Sequence, residues 1–418
     1  EKLAVAAYGD ARDVLLAAAR TSGSSLDSRR AQLREVAGLS ETQLKDPDGA
    51  IVAYRQMLSL DRSDESARAA LHRLLEKTQR WDDLAALFEQ EAMGAADVEE
   101  RITLEKRLAD LHEKKRGDKA EAAEALLRVV MSAPKDEESL ARAVALLRAV
   151  NEHARAATAI DENVGALDAG PIKGQLLREL GELRDKLGDH GAAADAYSEA
   201  GELLNDAEVW RLAEEQAAKA DKFELAATAI GRRGDLEKDP KAQAKLRAIE
   251  ADYHLKGGDP GSALVRLEQA CELSPGDEEL AMRLEQFYEQ EGRLDDLAAF
   301  IVRRAEQSSD AAASVALLKR AATFRRERLT DPDGARDLLL RIVGANDDSE
   351  ALSALADDAA EREDHAGAIK YLARLEPLAA DKQAKIRLGL RQAAMLSDGL
   401  GDIDGSVAAY QRVLETLD

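Results

Sequence analysis

The sequence has few of the residues that mark disulfide-rich, β-rich or membrane-spanning proteins. Cys271 is its single cysteine, so no intramolecular disulfide can form. Aromatic residues make up 3% of the chain, whereas β-sheets favour aromatic and β-branched side chains. No apolar run approaches the ~18 residues that a membrane-spanning helix needs, and no signal-peptide pattern is found. A disulfide framework is therefore excluded, and a β-fold and membrane insertion are not expected.

The chain also lacks positive charge. Lysine and arginine number 59 against 82 aspartate and glutamate residues, which gives a formal net charge of −23. Such a surface repels nucleic-acid backbones and anionic membranes, so we expect no nucleic-acid partner. The lone cysteine fits a reducing compartment. The cytoplasm is the default expectation, and an exported form whose leader has been removed is the alternative.

Regularly spaced turns are the clearest positive signal. Glycine and aspartate, with or without proline, recur at sharp breaks before stretches rich in alanine and leucine. The aspartates at these breaks are Asp46, Asp118, Asp189, Asp259, Asp331 and Asp402, at steps of 72, 71, 70, 72 and 71 residues. A period this regular predicts a repeat architecture. The pair Gly9-Asp10 has the same form and predicts one further break near the start of the chain.

A second set of breaks falls midway between these aspartates, for example at Arg80-Trp81 and Arg293-Leu294. Each unit of about 71 residues therefore divides into two unequal helical hairpins. We predict one solenoid over 1–418, with about eleven hairpins over 26–418 and a partial hairpin over 1–25. The partial hairpin would contribute one helix at about residues 10–20. We expect the chain to be a segment of a longer one, and its Ala/Arg/Asp-rich composition is typical of a GC-rich bacterial genome.

Within a hairpin the apolar spacing is helical. Over 171–187 the leucines fall at i, i+3 or i+4 and i+7, which predicts one apolar stripe on a helix. Glycine ends the first helix because the left-handed conformation of the residue after a helix suits it. Aspartate or Asp-Pro then begins the second helix and caps its free amides. The fold class is therefore all-α.

Two hairpins carry a more specific set of residues. The hairpin 171–204 has Leu177, Leu180-Gly181, Gly188-Asp189, Ala193, Tyr197 and Ala200. The hairpin 240–275 has Tyr253, Gly258-Asp259, Ala263, Leu267, Ala270 and Pro275. These residues resemble the helix-packing set of the tetratricopeptide-repeat (TPR) family. The mid-unit hairpins depart from it, with Leu84 or Leu297 where the family has a small alanine. The resemblance implies a right-handed superhelical α-solenoid, a concave binding face lined by first helices, and no common catalytic activity.

The motifs of catalysis and metal binding are missing from the sequence. There is no glycine-rich phosphate loop, no nucleophile elbow and no zinc spacing. The six histidines are scattered over different hairpins and are expected at turns or on the surface. The Asp-rich turns lack the later bidentate glutamate of a calcium loop, and helix capping accounts for them. We predict no enzyme activity, no cofactor and no metal.

One segment departs from the overall acidity. Over 293–341 there are ten basic and eight acidic residues, a balance of +2 in a chain of −23. Arginine is the residue most used for bidentate recognition of carboxylates. The segment is therefore a candidate site for an acidic peptide or partner, and the alternative is a solvated face of helical ion pairs. The candidate residues are Arg303, Arg304, Lys319, Arg320, Arg325 and Arg326.

Three further residues are singled out by type. Trp81 opens a second helix at a turn and either packs against the preceding hairpin or contacts a partner. Trp210 and Cys271 fall on helical apolar patterns and are expected in the core.

The function that this architecture predicts is a scaffold or adaptor that binds a partner protein or peptide. A structural subunit that self-associates through the solenoid ends is the alternative, because the last helix is apolar on one side at Val407, Tyr410, Val413, Leu414 and Leu417. A third hypothesis is that the chain is the binding region of a longer regulatory protein.

Overall fold

A computed structural model describes residues 2–20 and 25–417, and over these residues it contains twenty-three α-helices and no β-strand. Residues 1, 21–24 and 418 lie outside the described residues, and with them part of the predicted hairpin over 1–25. The chain divides into two compact units, Glu1–Leu225 and Ala226–Asp418, and the division falls inside one helix.

The helices of the first unit are α1 (Lys2–Arg20), α2 (Leu26–Thr42), α3 (Pro47–Leu60), α4 (Glu65–Lys77), α5 (Trp81–Gly94), α6 (Val98–Leu111), α7 (Lys119–Ser132), α8 (Glu137–Ala149), α9 (His153–Asn163), α10 (Pro171–Lys186), α11 (His190–Leu204) and α12 (Ala207–Lys219). The dividing helix is α13 (Phe223–Leu236). The second unit continues with α14 (Pro240–Lys256), α15 (Pro260–Leu273), α16 (Glu278–Gln290), α17 (Leu294–Gln307), α18 (Ala311–Arg328), α19 (Pro332–Ala345), α20 (Ser349–Glu361), α21 (His365–Leu375), α22 (Lys382–Ala394) and α23 (Ile403–Leu417).

Helices that follow each other along the chain pack together in both units. The even-numbered helices from α2 onward are the predicted first helices, and the odd-numbered ones are the second helices. The prediction of an all-α array of hairpins is confirmed, whereas the number of repeats and the right-handed superhelix stay predictions. None of the helices over 2–20 and 25–417 is long and apolar enough to cross a membrane.

The hairpin of α10 and α11 shows why these residues form helices that pair. Leu177 and Leu180 of α10 are buried, as are Ala193 and Tyr197 of α11. Gly181 lies so close to Tyr197 that a Cβ atom added there would be 2.7 Å from the ring. The predicted TPR-like packing set is confirmed here, because small residues let two helices approach and larger ones fill the space beside them.

The core of the second unit runs through its successive helices. Leu267, Leu284, Ile301 and Leu355 are all buried, and they belong to one continuous cluster. Cys271 is in the same cluster with 8% of its surface exposed, as its apolar pattern predicted. Burial raises the pKa of the Cys271 thiol to about 11, because the thiolate would lose its hydration. Cys271 is therefore a packing residue.

The aspartates at the predicted breaks are N-caps. Each accepts a hydrogen bond on Oδ1 from the backbone N–H three residues later, at 2.8 to 3.1 Å. The six are Asp46, Asp118, Asp189, Asp259, Asp331 and Asp402. The capping interpretation of these turns is confirmed, since the carboxylates satisfy amides that the helix leaves unpaired.

Two predictions about turns were wrong. The break expected at Gly9-Asp10 does not occur, because both residues lie inside α1, which begins at Lys2 rather than near residue 10. Gly9 does not have the left-handed backbone that Gly117 adopts with φ of 70° at a true turn. His112 was expected at a turn or on the surface, but only 1% of it is exposed. It begins a π-helical turn, His112–Arg116, at the end of α6, and this wider turn carries the His112 ring inward.

Ion pairs connect hairpins that are neighbours in the chain. They join residues 31 to 35 positions apart, which is about one hairpin length. Examples between first helices are Arg142–Asp110, Arg283–Asp252 and Arg326–Glu361. We call this series the ion-pair ladder. Many basic side chains of this acidic chain are therefore paired with carboxylates of the same chain.

Candidate partner-binding surface

The predicted basic segment 293–341 falls on α17, α18 and most of α19, and its six candidate residues lie on α17 and α18. Asp310 caps the start of α18, where its carboxylate accepts a hydrogen bond from the Ala312 N–H at 2.9 Å. The last turn of α18 carries three arginines, whose positive charge is favourable at a helix C-terminus. Basic side chains occur along the second half of this 18-residue helix, from Lys319 to Arg328.

The six candidate residues do not form one patch. Arg303 on α17 points toward Glu272 at the end of α15, at 3.9 Å, with half of its side chain exposed. Arg304, the next residue, lies between α16 and α17 with 8% of its surface exposed. It donates hydrogen bonds to Glu278 at 2.6 Å and to the buried Glu285 at 2.7 Å.

The environment of Arg304 keeps its guanidinium charged. Burial alone would lower the pKa of Arg304, but the hydrogen bonds and charges of Glu278 and Glu285 outweigh it, so the pKa is raised. Arg304 therefore has its partners inside the fold.

Lys319, Arg320 and Arg326 are all on α18, and each forms an ion pair with a neighbouring first helix or its cap. Lys319 bridges toward α20 through Asp348 at 2.9 Å and Glu350 at 2.7 Å. Arg326 bridges toward α20 through Glu361 at 2.8 Å, with 40% of its side chain exposed. Arg320 points the other way, to Glu285 on α16, and is 54% exposed. We call these three residues the basic row.

Arg325 has a local structural contact. Its Nη1 donates to Asp331 at 2.8 Å across the turn between α18 and α19. The pKa of Asp331 is lowered, first by the hydrogen bond from the Gly334 N–H and then by Arg325. Arg325 thus supports the cap of α19, and the side chain is 30% exposed.

A groove runs beside the basic row, between α18 and α20, and α19 forms its floor. Its cavity has a volume of about 250 Å³. The apolar part of the lining consists of Ala322, Pro332, Ala335, Leu339 and Ala354. The polar part consists of Thr323, Arg326, Glu327, Arg336 and Asp358. We call this cavity the α18 groove.

Asp358 is the buried charge of the α18 groove, with 7% of its surface exposed. Its Oδ1 accepts a hydrogen bond from Arg362 Nε at 3.0 Å. Its Oδ2 lies 3.6 Å from Arg336 Nε and has no hydrogen-bond donor among the described residues. The charges of Arg336 and Arg362 offset part of the cost of burying this carboxylate, although 3.6 Å is too long for a hydrogen bond.

The sequence reasoning missed Asp358, although a signal was present. The residue falls three positions after Leu355 and one before Ala359, on the buried stripe of α20. An acidic residue within an apolar stripe indicates either an internal ion pair or a site. The opening of the groove was not visible in the sequence, because it depends on the small Ala354 facing α18.

The two tryptophans have different surroundings. Trp210 is 2% exposed, as predicted for a core residue. Trp81 is half-buried at the start of α5. The Lys115 ammonium lies 5.5 Å from the Trp81 ring centre, a cation–π distance. Contact with the π-helical turn at the end of α6 therefore covers part of the Trp81 ring, and packing of Trp81 against the preceding hairpin stays a prediction.

The surface around α18 offers donors, acceptors and an apolar floor, which suit binding. In the described ranges, no group of three or more histidine, cysteine, aspartate or glutamate side chains is placed to hold a metal ion. The basic row and the α18 groove together are the candidate binding surface.

No protein-family model and no curated protein matches the chain. Solved structures are similar to it at low identity. A structure of Naa15/Naa10 bound to HypK-THB shares 14% identity over 93% of this chain and 64% of that chain, with a TM-score of 0.30. The chain thus spans less than two thirds of the length of that structure.

Two further structures are described as TPR proteins. One, from Parabacteroides merdae, shares 14% identity over 62% of this chain and 98% of its own, with a TM-score of 0.24. The other, YrrB, has an unusual peptide-binding site and shares 20% identity over 47% of this chain and 95% of its own, with a TM-score of 0.24. The chain is similar to these proteins in its helical hairpins.

Proposed function

We propose that the chain is a protein-interaction scaffold that binds a partner protein or peptide along α18 and α20. The observation that carries the proposal is the basic row on α18 beside the open groove between the first helices α18 and α20. The groove supplies apolar contact, and the row supplies charged donors to acidic side chains of the partner. YrrB, with its described peptide-binding site, is a precedent for peptide binding by hairpins of this type.

The ion pairs of the basic row do not prevent it from binding. Arg320 and Arg326 have exposed side chains, and the Arg326–Glu361 pair, which is exposed at both ends, contributes about 0–1 kcal/mol. Glu285, the buried partner of Arg320, keeps its hydrogen bond from Arg304. A carboxylate of a partner can therefore replace or join the internal one at little cost. Arg304 belongs to the packing between α16 and α17, and Arg325 to the turn at Asp331. Arg303 lies toward α15, away from the row.

A selection of random peptides on the whole chain tests this proposal. We expect enriched peptides rich in acidic residues, and at least tenfold weaker binding to the triple variant Lys319→Gln/Arg320→Gln/Arg326→Gln. The matched control is Arg303→Gln/Arg341→Gln/Arg374→Gln, which removes the same charge from second helices, where each arginine has a carboxylate partner. The control is expected to bind within about twofold of the original chain.

The proposal fails if no peptide is enriched, or if both triple variants lose binding equally. Equal loss would mean that only net charge matters, since the position of the arginines would then be irrelevant.

A second candidate function is self-association through α23. Four of its side chains are exposed at helical spacing, namely Ile403, Val407, Tyr410 and Leu414, at 62%, 49%, 42% and 60%. By position after the capping aspartate, Tyr410 and Leu414 match Leu339 and Val343 of α19, which are buried. Light scattering over a concentration series tests self-association. The hypothesis is supported if the mass of the original chain rises with concentration while that of a Val407→Glu/Leu414→Glu variant stays near 45.2 kDa.

A further inference from the structure

We propose that protonation of His112 opens the π-helical turn at the end of α6 and releases that turn from the Trp81 side chain. The inference goes beyond the proposed function, because it concerns the first unit and does not depend on the basic row. The juxtaposition that carries it is a buried imidazole, an arginine that bridges it to Asp82, and a lysine that lies over Trp81. We call the contacts of Arg116 with His112 and Asp82 the His112 latch.

The hydrogen bonding of His112 requires a neutral ring. Its Nδ1 lies 2.7 Å from Nη1 of Arg116. Because a guanidinium group can only donate, this Nδ1 is an unprotonated acceptor. The ring proton is then on Nε2, which is buried and has no hydrogen-bond partner among the described residues. The contact with Arg116 therefore exists only while the imidazole is uncharged.

Protonation turns this contact into a repulsion. The added proton occupies Nδ1 and faces the Arg116 guanidinium, so two donors and two positive charges meet where one hydrogen bond stood. Only 1% of His112 is exposed, so water screens little of the repulsion. We therefore expect the ring and the guanidinium to separate.

Separation changes the turn, because the same turn carries the contacts with α5. Arg116 Nε lies 2.9 Å from the Asp82 carboxylate, but Asp82 is 89% exposed, and such an exposed pair holds the turn only weakly. The Lys115 ammonium is 5.5 Å from the Trp81 ring centre. A π-helical turn is rare and needs support from its surroundings. Once the bond to His112 is lost, we expect the turn to rearrange and to carry Lys115 away from Trp81.

The charged groups around His112 come from three elements. Arg116 is in the π-helical turn itself, Asp118 and Glu121 are at the start of α7, and Glu89 is on α5. Burial first, and then the charge of Arg116, lower the pKa of His112 below its ordinary 6.5 and outweigh the three carboxylates, which act in the opposite direction. The latch is therefore fully present above pH 6.5 and is lost as the pH falls through the lower folded value.

Fluorine NMR on the whole chain, labelled with fluorotryptophan, tests the inference. The chain has two tryptophans, and Trp81→Phe identifies the Trp81 signal. We expect this signal to move in one step between about pH 7.5 and 5, a range in which ordinary carboxyl groups stay ionised. The midpoint should lie below 6.5 and coincide with the titration of the His112 ring, followed by carbon NMR. The Trp210 signal is the internal control and should not move, because that side chain is 2% exposed.

Two variants separate the latch from general effects of acid. His112→Gln cannot gain a proton, yet its carboxamide oxygen can still accept from Arg116. The Trp81 signal of this variant should therefore keep its neutral position over the whole range. Arg116→Ala removes the latch, so the Trp81 signal should already be displaced at pH 7.5 by at least half of the original step.

Each variant has a matched control. His72→Gln changes another histidine of the first unit, whose ring is bonded to Glu91. Lys114→Ala changes an exposed lysine of the same π-helical turn, which pairs with Asp110. Both controls should show the original step of the Trp81 signal at the original midpoint.

The inference is overturned if the Trp81 signal of the original chain does not move, or if its midpoint lies at or above pH 6.5. It is also overturned if the step persists in His112→Gln. The two measurements on the original chain decide the matter even where a variant does not fold. None of these outcomes changes the proposed function, which the glutamine variants of the basic row test separately.

Discussion

The buried ion pair of Arg304 and Glu285 should hold α16 and α17 together. We consider Arg304→Leu, which keeps apolar contact but leaves Glu285, 7% exposed, without its buried partner. Breaking a buried pair costs about 3–5 kcal/mol. Arg320 still reaches Glu285, but its side chain is 54% exposed, so it returns only about 1 kcal/mol. We therefore expect a net loss of about 2–4 kcal/mol.

The assay must report on local stability, because a repeat array of this size does not unfold in one step. Native-state hydrogen exchange, read by mass spectrometry on peptides from α16 and α17, gives the free energy of local opening. A loss of about 2–4 kcal/mol corresponds to exchange that is roughly 30- to 1000-fold faster. The control is Arg303→Leu, one position away and half exposed, which should change the local free energy by less than about 0.5 kcal/mol.

The double variant Arg304→Leu/Glu285→Leu completes the test. Replacing both charges by apolar groups should return local stability to within about 1 kcal/mol of the original chain, because no unpaired buried charge remains. The reasoning is refuted if Arg304→Leu behaves like Arg303→Leu, or if the double variant is less stable than either single one.

Four further substitutions have defined outcomes. Gly181→Ala should destabilise α10 and α11 by about 1–2 kcal/mol, measured by hydrogen exchange, because the new Cβ would lie 2.7 Å from the Tyr197 ring. Gly38 has open space around it, so Gly38→Ala should instead stabilise α2 by up to ~1 kcal/mol. Cys271 has its pKa raised to about 11 from an ordinary 9.0 by burial, so its contribution to stability is complete below pH 9 and is lost as the pH rises toward 11. Cys271→Ala should remove that alkaline loss in thermal melts, and an unchanged pH profile would contradict the assignment. The pKa of Asp64 is lowered below 3.8, because hydrogen bonds from Ala67 N–H and Arg30 and the charge of Arg34 outweigh the opposing effect of burial. Its contribution is therefore present above pH 3.8 and lost as the pH falls through the lower folded value, so acid unfolding of Asp64→Asn should show a smaller pH dependence than that of the original chain.

The parts of the fold that the sequence predicts well are those set by near neighbours. An aspartate caps a helix through an amide three residues away, so Asp118 and Asp189 could be assigned from the sequence. The apolar stripes of α10 and α11 follow from a spacing of three and four residues. Gly9-Asp10 looked the same as a true turn, but the helical residues on both sides kept the chain in α1.

The candidate site was less predictable, because it depends on residues that meet across a whole hairpin. Arg326 and Glu361 are 35 residues apart, and charge counting along the segment could not pair them. Arg304 was placed with the exposed arginines, although it falls three positions after Ile301 on the buried stripe of α17. Its position on that stripe predicts that Arg304 is buried, whereas Arg303 lies off the stripe and is predicted to be exposed.

The ion-pair ladder makes the stiffness of each unit depend on ionic strength. Its partners belong to neighbouring hairpins, and many of them are exposed, as with Arg326 and Glu361. Dissolved salt screens exposed pairs but leaves apolar packing in place. Within a unit, each hairpin should thus keep its own structure in concentrated salt while the bending of one hairpin against the next becomes easier. An acidic partner that competes for the same arginines would act locally in the same direction, softening the unit where it binds.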